Sequence, residues 1–102
     1  MITAAILAVS AALSASPPEE LATFYATVTQ RNIVQVVAYR GSSTVPVIVK
    51  FSTSTATVTR RHRSGQWGSR RVIIRGAGRV DVRVYSRATG RLLVANAYET
   101  VP

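Results

Sequence analysis

From Leu21 onward, apolar and polar residues alternate with a period of two. That is the spacing of β-strands with one buried face. Phe24, Ala26 and Val28 alternate with Tyr25, Thr27 and Thr29. Val45, Val47, Val49 and Phe51 alternate with Pro46, Ile48 and Lys50, and Ala56 and Val58 with Thr53, Thr55, Thr57 and Thr59. Val72 and Ile74 open another run, Val80, Val82 and Val84 the next, and a last strand is expected from Leu92 to about Tyr98. The stretch Ile33 to Tyr39 is almost continuously apolar, the pattern of a strand covered on both faces. Pro46 cannot donate to a ladder, so its strand lies at an edge or begins there. Turn signals punctuate the runs at Arg31-Asn32, Gly41-Ser42-Ser43, Gly65 to Gly68, Gly76-Ala77-Gly78 and Thr89-Gly90. About seven strands at this spacing predict an all-β fold, a small antiparallel β-sandwich over 21–102.

Residues 1–16, MITAAILAVSAALSAS, are apolar and small, and 17–20, PPEE, read as a linker. The apolar run is shorter than the roughly 20 residues of a membrane span. Two readings stand. As a signal peptide it has a small-x-small cleavage site at Ala12-Leu13-Ser14 but no preceding basic residue. As a retained Ala- and Leu-rich helix, stopped by Pro17-Pro18, it would dock on a subunit or a membrane.

The segment Val80 to Gly90, VDVRVYSRATG, resembles the penultimate strand and following turn of fibronectin type III and immunoglobulin-like domains. The resemblance implies an immunoglobulin-like sandwich. It covers about a tenth of the chain, without the early core tryptophan or the cysteine pair.

Charge changes the picture. The chain carries 13 Lys and Arg against 4 Asp and Glu, a net charge of +9. All but Lys50 of the basic residues are Arg, whose planar fork suits phosphate and carboxylate. The densest stretch is RRHRSGQWGSRR, Arg60 to Arg71, which holds His62 and the only Trp, Trp67. Strand parity extends it. If the valines point inward, Arg71, Arg75, Arg79, Arg83 and Arg87 point outward, and a hairpin at Gly76-Ala77-Gly78 would gather them on one sheet face with Asp81 as its one acid. Pairing of the strands flanking the basic run would oppose Arg60-Arg61 to Arg70-Arg71, an unfavourable arrangement that a bound anion would relieve. The candidate partner-binding set is therefore Arg60, Arg61, Arg63, Trp67, Arg70, Arg71, Arg75, Arg79, Arg83 and Arg87, with Trp67 stacking on a base or sugar. In the alternative, the stretch is a solvated hairpin tip with Trp67 folded back over the sandwich end.

Catalytic and metal-binding patterns fail. There is no Cys, one His set among arginines, and four acids of which Glu19 and Glu20 fall in the linker. Nothing points to a cofactor, a metal or a small-molecule substrate. The threonines at 53, 55, 57 and 59 read as a solvent face with good strand propensity.

These patterns point to a non-catalytic structural or assembly protein, a basic sandwich subunit of a surface structure such as a virion or a cell-envelope filament. Its partners would be copies of itself, other subunits, nucleic acid or another polyanion, contacted through the arginines, the N-terminal segment and an edge strand containing Pro46. The alternative is a secreted module that recognises an anionic polymer through the Arg60–Arg71 loop. Either role places it outside the cytoplasm or on a virion surface.

Overall fold

The computed structural model describes residues 19–101. The segment 1–16, with its signal-peptide and docking readings, and the prolines at 17–18 lie outside the described residues.

The described chain is all β, in two sheets. Its strands are β1 (Ala22–Arg31), β2 (Val34–Ser43), β3 (Val47–Ser52), β4 (Thr57–His62), β5 (Gly65–Gln66), β6 (Arg70–Arg75), β7 (Val80–Ser86), β8 (Leu92–Tyr98) and β9 (Thr100–Val101). The seven expected strands are present, joined by the two-residue β5 and β9. In sheet A, β2 pairs with β1 on one side and with β5 and β6 in succession on the other, and β9 runs parallel to β1 at Val28 and Thr29. Sheet B has the order β4-β3-β7-β8, antiparallel throughout.

Alternation builds the core. Val28, Val37, Val47, Val49, Phe51, Val80, Val82 and Val84 are fully enclosed, with Val72 and Ile74 beside them. Each such side chain contributes about 1.5–3 kcal/mol by leaving water. An aromatic band crosses the sandwich from β8 to β4. Tyr98 and Phe24 rings lie 5.9 Å apart, Phe24 and Tyr39 5.5 Å, Tyr39 and Phe51 5.0 Å, and Tyr39 and His62 5.8 Å.

Several expectations are corrected. The run at Ile33 to Tyr39 is not covered on both faces: Gln35, Val37 and Tyr39 are buried, while Ile33 and Ala38 are exposed. Gly41-Ser42-Ser43 is not a turn but the end of β2. Pro46 marks a strand start, since β3 begins at Val47, but β3 lies between β4 and β7 and is no edge. It offers no ladder to a neighbour. The threonines do not form a four-residue strand face. Only Thr57 and Thr59 lie in β4, and Thr53 and Thr55 sit in the β3–β4 turn, where both hydroxyls donate to Arg75 O, at 2.6 and 3.1 Å. Glu20 is not a free linker residue, because its carboxylate accepts from the Ser86 and Thr89 hydroxyls and pins the start of β1 to the β7–β8 turn.

The connection with most consequence is Gly76-Ala77-Gly78. It makes no hairpin but carries the chain from β6 in sheet A to β7 in sheet B. Buried Gln35 donates to Gly78 O at 2.9 Å, Thr100 donates to the same oxygen at 3.1 Å, and Gln30 donates to Gly76 O at 3.2 Å. Gly76 has φ 139°, and a Cβ there would stand 2.5 Å from Thr53 Oγ1. Only glycine fits this crossing.

Candidate functional site

Because β6 and β7 belong to different sheets, the single arginine face inferred from parity does not exist. The in-or-out assignment itself holds. Arg71 and Arg75 project from the outer side of sheet A, and Arg83 from the outer side of sheet B. Arg79, just before β7, forms the one ion pair among the described residues, 2.9 Å from Asp81. Arg87 follows β7 and is exposed, with its backbone N–H donating to Pro46 O.

The basic run is divided in the same way. β4 pairs with β3 and β6 with β2, so Arg60-Arg61 and Arg70-Arg71 do not oppose each other across a ladder. The loop between them crosses from sheet B to sheet A. Arg61 lies on the outer side of sheet B, opposite Ile48, and Arg63 is exposed in the loop. Arg60 and Arg70 share the inward side with Val49 and Tyr39 but emerge at the rim where β4 and β6 run side by side.

Trp67 is not a stacking platform. It is 3% exposed and fills the gap left by Gly41, where a Cβ would meet its ring at 2.6 Å. Its Nε1–H donates to Ser43 Oγ at 3.2 Å and its backbone N–H to Gly41 O at 2.8 Å. Arg70 Nε donates to its carbonyl at 2.8 Å. The His62 ring stacks on the indole at 4.8 Å and 12°. His62 Nε2 meets Tyr39 Oη at 2.9 Å. Burial, and then the Arg70 charge, lower the His62 pKa from its ordinary value. With the ring neutral, the tautomer sets which of the two groups donates in this hydrogen bond. Burial raises the Tyr39 pKa, against the opposing effect of Arg60 and Arg70. This cluster is a hydrogen-bonded plug in the sandwich rim. Among the described residues, no three His, Cys, Asp or Glu side chains gather as a metal site would need.

The outer side of sheet A gathers cations from three strands. Four arginines stand on it: Arg31 on β1, Arg40 on β2, and Arg71 and Arg75 on β6. None of the strands of this sheet contains an acid. Each arginine is opposite an uncharged residue: Arg40 pairs with Tyr25, Arg71 with Ala38, and Arg31 and Arg75 both with Val34. Arg40 lies over the Tyr25 ring, 5.6 Å from its centroid, and Tyr25 is 65% exposed. Three adjoining depressions cross the face, because short Thr27 and Ala38 lie among taller neighbours. The largest, about 570 Å³, is lined by Tyr25, Thr27, Ala38, Arg40, Arg70 and Arg71. One neighbour shares Tyr25, Arg40 and Ser69 with it, the other Thr27, Ala38 and Arg71.

Arg31, Arg40 and Tyr25 were absent from the sequence-derived set. Arg40 and Tyr25 are 15 residues apart, and only the β1–β2 register brings them opposite each other. Comparison with protein-family models, with curated proteins and with solved structures finds no match to this chain.

Proposed function

We propose that this chain is a non-catalytic, immunoglobulin-like subunit of a larger surface assembly, and that it docks the outer side of sheet A on an acidic protein surface. The strand orders β6-β2-β1 and β4-β3-β7-β8 support the immunoglobulin-like reading, as does the resemblance at Val80 to Gly90. The observation that carries the docking role is the arrangement of Arg31, Arg40, Arg71 and Arg75 on a sheet without an acid. Arginine forks facing carboxylates give bidentate, orientation-specific pairs, and the excess of charge steers encounter. The groove is shallow and spread along the strands, which suits a broad surface better than an enclosed small ligand.

Binding to poly-L-glutamate at low salt tests the reading. The protein is expected to be retained, and a variant with Arg31, Arg40, Arg71 and Arg75 all changed to Ser is expected to pass through with its fold intact. Equal retention of both proteins would refute it.

A second reading has one observation in its favour. Exposed Tyr25 beside Arg40 offers a ring and a cation together, the pairing that holds single-stranded nucleic acid. Under that reading the chain is an anionic-polymer module. Oligo-dT would then bind much more tightly than poly-L-glutamate, and Tyr25→Ala would cost about 1–3 kcal/mol of that binding.

A further inference from the structure

We propose that a second copy of this chain adds to sheet B along β8, antiparallel and centred on Ala95, so that two four-stranded sheets become one of eight strands. The inference rests on the assembly reading only in taking contact as this chain's work, and it uses a different surface.

β8 is the outermost strand of sheet B and pairs only with β7. One side of its backbone therefore presents unpaired N–H and C=O groups, a template for another strand. Edge strands are ordinarily guarded by charges, proline, bulges or a covering element. Two of the other edges are guarded by charge and a third is covered in part. β4 carries Arg60 and Arg61, and β6 carries Arg70, Arg71 and Arg75. β1 is uncharged from Ala22 to Gln30, but β9 covers it at Val28 and Thr29, and Tyr98 Oη reaches Phe24 O at 3.5 Å. β8 reads LLVANAY, with no charge and no proline. Its one irregularity, an extra residue at Leu93, lies toward the Leu92 end and leaves Val94 to Tyr98 in unbroken register with β7. Ala95, Asn96 and Ala97 are exposed.

Charge selects the occupant. Two copies, each at +9, repel each other wherever arginines face outward. Along β8 there is no charge to repel. The residues bounding the strand are complementary. Arg91 precedes it, Glu99 follows it, and neither has an ionic partner among the described residues, where Arg79–Asp81 is the only pair. Antiparallel pairing about Ala95 sets Ala95 against Ala95 and Val94 against Asn96 of the other copy, within the stretch of unbroken register. It also lays the Arg91 end of each copy beside the Glu99 end of the other, offset by the one extra residue at Leu93. An acidic partner would find no cation on β8, whereas a second copy finds a strand whose two ends match its own in reverse.

The chain has no cysteine, so an introduced one reports only contact between copies. Opposed Cα atoms in an antiparallel pair lie about 4.5–5.5 Å apart, within disulfide range. Full-length A95C is expected to form a covalent dimer under mild oxidation much faster than T59C, placed on the guarded edge β4. Oligomers formed through any other contact would cross-link both variants alike. E99R is expected to lower the dimer fraction in sedimentation about tenfold by setting like charges at both ends, and R91E combined with E99R to restore it. Equal cross-linking of A95C and T59C would overturn the proposal, as would a dimer fraction indifferent to these reversals. Serine variants of the sheet A arginines leave this dimer unchanged, so failure here and failure of the docking face read out separately.

Discussion

Sheet A turns Arg31, Arg40, Arg71 and Arg75 outward, each opposite an uncharged residue. Sheet B turns Lys50 and Arg83 outward directly opposite each other, with Lys50 also 5.5 Å from the Tyr85 ring, and it holds the Arg79–Asp81 pair. The two faces carry comparable positive charge in different arrangements. On sheet A the cations are spaced and unanswered, the condition in which an external anion gains most. On sheet B Lys50 and Arg83 already crowd each other, and the internal acid Asp81 answers Arg79. Net charge alone does not distinguish the two faces. Strand register does.

The comparison depends on the loop that carries the basic run from one sheet to the other, so the largest effect should come from its anchor. Trp67→Ala is expected to cost about 3–5 kcal/mol, read from the urea midpoint by circular dichroism. It should also weaken binding through sheet A by loosening Arg70 and Arg71. Gly41→Ala comes next. The added methyl would run into Thr23 O and meet the indole at 2.6 Å, so about 1–3 kcal/mol of stability should be lost while the charges on both faces stay as they were. Acid should then loosen the same anchor. The folded pKa of His62 lies below the ordinary 6.5, so the fold favours the neutral ring. Stability is complete above that value and is lost as pH falls from it through the lower folded value. In His62→Gln the stability difference between pH 7 and pH 5 should shrink. Emission from Trp67, the only indole, should drop on acidification of the parent protein with a midpoint below 6.5. The smallest effect sharpens the contrast on sheet B. Arg83→Thr removes the opposition to Lys50 and should stabilise by about 0.2–1 kcal/mol, more at low salt, without touching anion binding on sheet A.

Much of the fold is legible in the chain. Period-two alternation locates seven strands and separates inward Val72, Ile74, Val80, Val82 and Val84 from outward Arg71, Arg75 and Arg83. Parity, however, refers each strand only to the core. In a sandwich two strands can both face inward from opposite sheets, so alternation could not tell that β6 and β7 lie apart. What decides the crossing is a set of distant polar anchors, Gln35, Thr53, Thr55 and Thr100, each an ordinary strand or turn residue in its own neighbourhood. Trp67 misleads for a similar reason. Flanked by glycines and arginines, it reads as a loop residue in search of a ligand, while the space that receives it is made by Gly41, some 26 positions earlier in β2. The doubly apolar run at Ile33 to Tyr39 overstates burial, because its outer side, Val34, Val36 and Ala38, belongs to the open face that carries the arginines, and Ile33 lies exposed in the β1–β2 turn.

The most direct test sets the two faces against each other at equal net charge. Arg40→Ser with Arg71→Ser removes two cations from sheet A, and Arg61→Ser with Arg83→Ser removes two from sheet B. Each variant is eluted from immobilised poly-L-glutamate with rising salt beside the parent protein. The sheet A variant is predicted to leave at much lower salt and the sheet B variant close to the parent. Equal shifts for both would show that the +9 charge as a whole drives binding, and would contradict a docking face on sheet A.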